Sequence, residues 1–268
     1  MGSMNFKPED YLIDEIAEYG LKVHPREGCG FILLKEGRQS FFPCANVAET
    51  YSYTNADGEV VEEDMGERMF ILDPSSVVLA STRGKVLAIA HTHPHTSSLP
   101  SDADKASCKK TKLPWLIVSP HDKSFSLVDP SDPIVEIPLL GRVFTWGVYD
   151  CYSLLQAYYL KEFGIKLPDF ERGLLYAWDD GQWSKFEENF EAAGFKKIGT
   201  TLSEIPLQKG DVFLMNLNSD NINHCAIFVE PDRNIIYHHV VGRLSEPAVY
   251  GSWYRDITRV ILRHKELM

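Results

Sequence analysis

Lys85-Val86-Leu87-Ala88-Ile89-Ala90-His91-Thr92-His93-Pro94, followed by Ser101 and Asp104, decides how the first half of this chain is read. Val86–Ala90 is apolar without alternation, which marks a strand buried on both faces. Residues two apart on a strand share a face, so His91 and His93 can present two imidazoles to one cation. Seven residues separate His93 from Ser101 and two more separate Ser101 from Asp104. A loop of that length can return a carboxylate to the strand end. Two His and one Asp leave a fourth tetrahedral position open, the pattern of a catalytic zinc. Zinc lowers the pKa of its bound water to roughly 7, and Glu27, on the edge of an early strand, is the candidate base. Plainer readings stand beside this one. His95 makes the segment simply His-rich, and Ser101 with Asp104 is a relative of the helix-capping box.

Outward from that strand, the first half reads as mixed α and β. Pro8–Gly20 has near-helical apolar spacing with Gly20 as a stop signal. Cys29–Leu34 and Gln39–Pro43 form a hairpin around Glu36-Gly37. Phe70–Leu72 is a short strand, Pro74–Thr82 and Ser101–Lys112 are helices, and Trp115–Val118 with Ser124–Val128 is a second hairpin. Pro130, Pro133 and Pro138 then mark a stiff linker, placing domains at 4–129 and 141–268 around a Pro-rich segment at 130–140. In the second half, Val143–Tyr149 is strand-like, Asp150–Phe163 is a strong helix and Leu174–Ala193 another helical region. Asp211–Leu217, His224–Glu230, Asn234–Val241 and Thr258–Arg263 are strands. A helix before a run of antiparallel strands indicates α+β.

Composition narrows the classes. The 268 residues suit two domains of about 130 each. Apolar residues make 44% and charged residues 24%, which excludes intrinsic disorder. With 27 basic against 38 acidic residues the net charge is −11, a poor match to nucleic acid. No apolar run reaches the roughly 18 residues that membrane insertion needs. The N-terminus lacks the basic and apolar regions of a signal peptide. The five cysteines are widely spaced with no C-x-x-C, which argues against a disulfide framework and for a reducing compartment.

A second constellation lies in the C-terminal half. Cys151 opens the strong helix, where the positive end of the helix dipole favours thiolate over thiol. His224 opens a later strand and is the candidate base. His238, across the next hairpin, is placed to orient that imidazole; His239 is its competitor. A cysteine at the apolar start of a helix can also be plain core, Asp150 can be only an N-cap, and Cys225, inside an apolar run, reads as inert core.

Two resemblances bear on these constellations. His91-x-His93, seven residues, Ser101-x-x-Asp104, with the upstream stretch His24–Phe31, resembles the JAMM metalloproteases over roughly residues 4–129. That resemblance implies zinc held by His91, His93 and Asp104, Glu27 as the base, Ser101 stabilising the oxyanion, and hydrolysis of an amide or isopeptide bond. Gly147–Cys151, Lys209–Val212, Asn223–Val229 and Ile236–His238 resemble the NlpC-type cysteine peptidases over about 141–268. That resemblance implies Cys151 as nucleophile, His224 as base and acid, and His238 as orienter, acting on peptidoglycan stem peptides. Tyr152 stands where the family usually has a small residue. Phe144 lies near a place where it often has a tyrosine, and Phe cannot donate a hydrogen bond. The expected fold is α+β in two domains, a JAMM-like α/β sandwich and then a papain-like NlpC domain.

This tandem is similar to a family of lambda-like phage tail-tip proteins. The implied partners are stem peptides and other tail tip proteins, with neither nucleic acid nor membrane insertion. The implied location is the host cytoplasm during assembly and then the virion tail tip. A tail assembly factor whose first half processes another tail protein, or a structural component with relic sites, are the alternatives.

Overall fold

Asp10–Val23 forms the first helix, α1, because Leu12, Ile13, Ile16 and Ala17 fall on one stripe and bury it. The helix runs past Gly20, which is not its stop. A Cβ at Gly20 would lie 2.8 Å from Thr92 Cγ2 and 3.2 Å from Pro120 Cβ, so this glycine lets α1 pack closely on the strand carrying His91 and His93. The computed structural model describes residues 6–54, 59–133, 137–170, 172, 185–200 and 205–268. The chain divides into two units, Met1–Glu136 and Ile137–Met268.

In the first unit, β1 (Cys29–Lys35) and β2 (Arg38–Cys44) make the expected hairpin, with Glu36 and Gly37 at positive φ. A separate ribbon, β3 (Thr50–Thr54) with β4 (Val60–Asp64), was not legible in the sequence. Helix α2 (Pro74–Arg83) starts at Asp73, whose carboxylate accepts from the Ser75 and Ser76 amides. Then come β5 (Lys85–Thr92), helix α3 (Asp102–Thr111), β6 (Trp115–Val118) and β7 (Phe125–Val128). The five-stranded sheet runs β2-β1-β5-β6-β7, with β5 and β6 parallel. Ala88 and Ala90 pack with α1 on one face, while Ile89 packs with Ala80 of α2 and Cys108 of α3 on the other. Helices therefore cover both faces, which is the α/β sandwich, and explain why β5 lacks alternation. Phe70–Leu72 does not form a strand. Only Leu72 pairs, in an isolated bridge to Asn46, because the Asn46 side-chain amide takes the Ile71 N–H at 3.1 Å and the Met69 carbonyl at 3.0 Å.

The second unit opens with helix α4 (Cys151–Phe163), ended by Gly164 at positive φ. A short helix α5 (Lys185–Asn189) follows; the rest of the expected Leu174–Ala193 helix up to residue 184 lies outside the described residues. The strands are β8 (Phe195–Gly199), β9 (Val212–Met215), β10 (His224–Glu230), β11 (Ile235–His238), β12 (Glu246–Val249) and, after helix α6 (Ser252–Ile257), β13 (Thr258–His264). They form one six-stranded sheet in the order β12-β11-β10-β9-β13-β8, with every pairing antiparallel. Leu154, Tyr158 and Tyr159 of α4 pack on Val212, Leu214, Ile227 and Leu262 of the sheet. The opposite face holds Phe213, Phe228, Ile236 and Tyr250, with the Phe213 and Tyr250 rings stacked at 3.9 Å. The unit is α+β, as expected. Val143–Tyr149 is not a strand, because Thr145 folds back to pair with Tyr149 across a turn at Gly147, φ 74°.

Candidate active sites

The end of β5 gathers the first site. His91 and His93 extend from one face, and the first turn of α3 brings Asp104 to them. His91 Nε2 lies 3.1 Å from His93 Nε2 and 3.3 Å from Asp104 Oδ1; His93 Nε2 lies 3.4 Å from Asp104 Oδ2. At ligand bonds of about 2.0–2.1 Å, such separations subtend about 100–115° at a shared ion, bracketing a tetrahedron. Two ring nitrogens that close need a proton or a cation between them. His93 Nδ1 donates to the Ser97 carbonyl at 2.8 Å, which leaves its Nε2 lone pair facing the site. The Phe70 and Trp115 rings pack on His91 at 4.8 and 5.3 Å and keep water from that side. Residues, burial and donor types fit a divalent metal.

The surroundings set the protonation states. Burial pushes His91 down, against the pull of Asp104. Burial also acts to lower His93, but Asp104, the Ser97 carbonyl and Glu27 outweigh it and raise it. Burial acts to raise Asp104, yet the two neighbouring histidines and the Ser101 hydroxyl hold it well below the usual carboxylate range. Glu27, two residues before β1, is buried and pushed up to about 8, chiefly by desolvation, with His93 opposing and Asp104 adding. A carboxyl in that range can both take and return a proton at neutral pH. Ser101 and Asp104 do form a capping box: the Ser101 hydroxyl donates to Asp104 Oδ2 at 2.6 Å and accepts from the Asp104 amide at 3.1 Å. The capping and ligand readings are therefore compatible, since the same contacts aim the carboxylate.

The second site is built at the front of α4. The Asp150 carboxylate caps the helix through the Ser153 amide at 2.7 Å, accepts from the Gly147 amide at 3.0 Å and pairs with Arg172 Nε at 2.8 Å. Cys151 is thereby fixed in the first turn. It packs in one cluster with Cys225, and its thiol feels the charge of His224. The neighbouring Cys225 and then the imidazole of His224 bring Cys151 down to about 5, against burial. Cys225 itself is pushed far up by burial, so it keeps its proton.

His224 and His238 sit with ring centroids 5.5 Å apart. The register pairs His238 with Ala226, so the two imidazoles meet diagonally on one face and not directly opposite. His224 Nε2 and His238 Nδ1 are both buried without a hydrogen-bond partner. His238 Nε2 meets the Tyr254 hydroxyl at 3.2 Å, and Glu246 Oε1 lies 3.9 Å away. Burial, then the charges of His224 and Arg243, drive His238 down to about 3, so it is neutral and suited to orient a partner. β11 stops at His238, and His239 turns against the Phe144 ring at 5.2 Å.

The structure thus brings together His91, His93 and Asp104 with Glu27 and Ser101, and Cys151 with His224 and His238. Sequence reasoning missed three residues. Arg172 fixes Asp150, Tyr254 contacts His238 from the unanticipated α6, and Cys225 packs beside Cys151. Cys225 had a signal: it follows His224, so on a strand its side chain points to the other face, the one α4 covers.

Residues 9–128 match the family of prokaryotic homologs of the JAB domain, and residues 141–263 match the NlpC/P60 family. A JAB-like domain followed by an NlpC/P60 domain is the class these units define. Among similar proteins, tail tip assembly protein K of Escherichia phage N15 is 32% identical over 255 residues, covering 95% of this chain and 95% of its own. Tail tip assembly protein K of Escherichia phage lambda is 31% identical over 195 residues, 72% of this chain and 89% of its own. The chain belongs to this tail tip assembly protein K family.

Proposed function

We propose that this tail tip protein is a peptidoglycan endopeptidase through its C-terminal unit and a zinc-dependent JAMM-type isopeptidase or protease through its N-terminal unit. The placement of Cys151 at the front of a capped helix packed on β10, the strand that His224 opens, carries the reading. The Cys151 thiolate attacks a stem-peptide carbonyl carbon, and His224 gives its proton to the departing amine. A water molecule, deprotonated by His224, then attacks the thioester and releases the new carboxylic acid and the thiolate. Neutral His238 holds the ring of His224 through these steps.

In the N-terminal unit, His91, His93 and Asp104 would hold zinc, which supplies Lewis acidity when bound. Glu27 carries a proton from the attacking water to the leaving amine. Ser101 holds Asp104 and exchanges that contact for the developing oxyanion. The protein acts in the host cytoplasm during tail assembly, beside other tail tip proteins, and then at the virion tail tip against stem peptides during wall penetration. Among the described residues, no helix is long and apolar enough to cross a membrane.

Purified sacculi incubated with the full chain should release soluble peptide, and Cys151→Ala should release none. Equal release by Cys151→Ala would remove the cysteine mechanism. Trimming of a co-expressed tail protein, lost in His91→Ala/His93→Ala, would assign the N-terminal unit to processing.

A further inference from the structure

All five histidines that precede residue 137 gather at one end of β5. Two are the candidate ligands described above. The other three, His24, His95 and His121, come from three separate segments: the C-cap of α1, the loop after β5 and the β6–β7 connection. All three are exposed. The His24 ring sits 5.3 Å from His95 at 69° and 5.8 Å from His121 at 74°. The His91–His93 pair supplies an internal yardstick, 5.0 Å at 60°. A carboxylate completes the set, with Glu67 Oε2 at 3.8 Å from His95 Nε2.

One tautomer is fixed by its partner. His121 Nε2 lies 3.1 Å from the Pro94 carbonyl, an acceptor only, so this nitrogen donates and Nδ1 keeps its lone pair. The same arrangement holds His93, where a backbone carbonyl takes one ring nitrogen and leaves the other for a cation. Three imidazoles and one carboxylate from four segments are a donor set for a borderline divalent transition ion and a poor one for calcium or magnesium.

We propose that His24, His95 and His121 with Glu67 form a second transition-metal site beside, and separate from, the His91–His93–Asp104 site. His95 and His121 each contact the His24 ring, but among the described residues only His91, His93 and Asp104 bring their ligand atoms within 4.8 Å of one another, so closure on one ion here needs rotation of these exposed side chains. Because these side chains are exposed, the ion exchanges more readily here than at the buried trio, and mild chelation removes it first. The site places a second positive charge at the open end of β5.

The test is metal counting on the full chain, in a Cys151→Ser background that removes the nucleophile thiol as a competing ligand. The metal-free protein is titrated with zinc chloride, desalted and assayed by elemental analysis, with cobalt absorption as a second readout. The parent should hold roughly two ions, and His24→Ala/His121→Ala and His91→Ala/His93→Ala roughly one each, with cobalt spectra that differ between the two variants. Circular dichroism should show His24→Ala/His121→Ala folded, since His24 and His121 are exposed, and His91→Ala/His93→Ala, whose histidines are buried, is counted only where its spectrum matches the parent. Zinc content unchanged in His24→Ala/His121→Ala would overturn the proposal. So would complete loss of zinc in His91→Ala/His93→Ala, since the second site would then have no independent existence. An ion lost only in His24→Ala/His121→Ala upholds it even if the buried trio holds none.

Discussion

Bringing the protein to pH 6 in the presence of iodoacetamide should label one cysteine of five, Cys151. Its thiol, at about 5, is roughly 90% thiolate at that pH, against about 0.3% for an ordinary thiol near 8.5. Intrinsic nucleophilicity falls with pKa at a slope of about 0.4–0.5, which returns part of the gain. The net advantage over an ordinary thiol is roughly five- to tenfold. The chain's other cysteines are worse than ordinary: burial pushes Cys44 up to about 11 and Cys108 to about 12, and raises Cys29 and Cys225 as well. Against Cys44 the same arithmetic gives an advantage on the order of 10² before access is considered. Because the folded-state value is depressed, the thiolate persists above it and is lost as pH falls through about 5, so labelling should collapse there. Peptide mapping after timed quenching gives the rate at each cysteine. His224→Ala should slow Cys151 by up to about tenfold at pH 6 as the thiol returns toward its ordinary range. Labelling of Cys151 no faster than of Cys44, or indifferent to His224→Ala, would refute the thiolate argument.

Other consequences can be measured separately. Ser101→Ala removes one half of the α3 capping box and should cost about 0.5–2 kcal/mol in denaturant unfolding while weakening zinc retention. Asp150→Ala strips the buried Arg172 of its nearest carboxylate and α4 of its cap, so the second unit's unfolding transition should lose about 3–5 kcal/mol. Tyr254→Phe removes the hydroxyl that meets His238, and should lower kcat/KM about tenfold and move its pH profile with KM little changed. 1,10-Phenanthroline should abolish any N-terminal hydrolysis and leave stem-peptide cleavage intact, which a peptide assay run with and without chelator will show.

What could be read from the sequence was set by local pattern. The unbroken apolar run Val86–Ala90 shows a two-sided strand, and the structure covers it on both faces. The His91-x-His93 spacing exposes a shared face because strand geometry has period two. Contacts between distant segments were illegible. Gly20 reads locally as punctuation, yet its role is set by Thr92 and Pro120, far along the chain. The fate of Phe70–Leu72 depends on the Asn46 side chain, which no window around residue 70 contains. Tyr254 was invisible because α6 is a helix of only six residues, too short to show a periodic pattern. Cys225 was read incompletely: it is buried, as expected, but it packs beside Cys151.

The most direct test of the central claim is to identify the products of a purified, sequence-defined muropeptide by mass spectrometry after digestion with wild type, Cys151→Ala and His91→Ala/His93→Ala chains. Cleavage of a single amide within the stem peptide, present in wild type and in His91→Ala/His93→Ala and absent in Cys151→Ala, is the predicted result. An intact muropeptide with all three proteins, or the same cut made by Cys151→Ala, would contradict it.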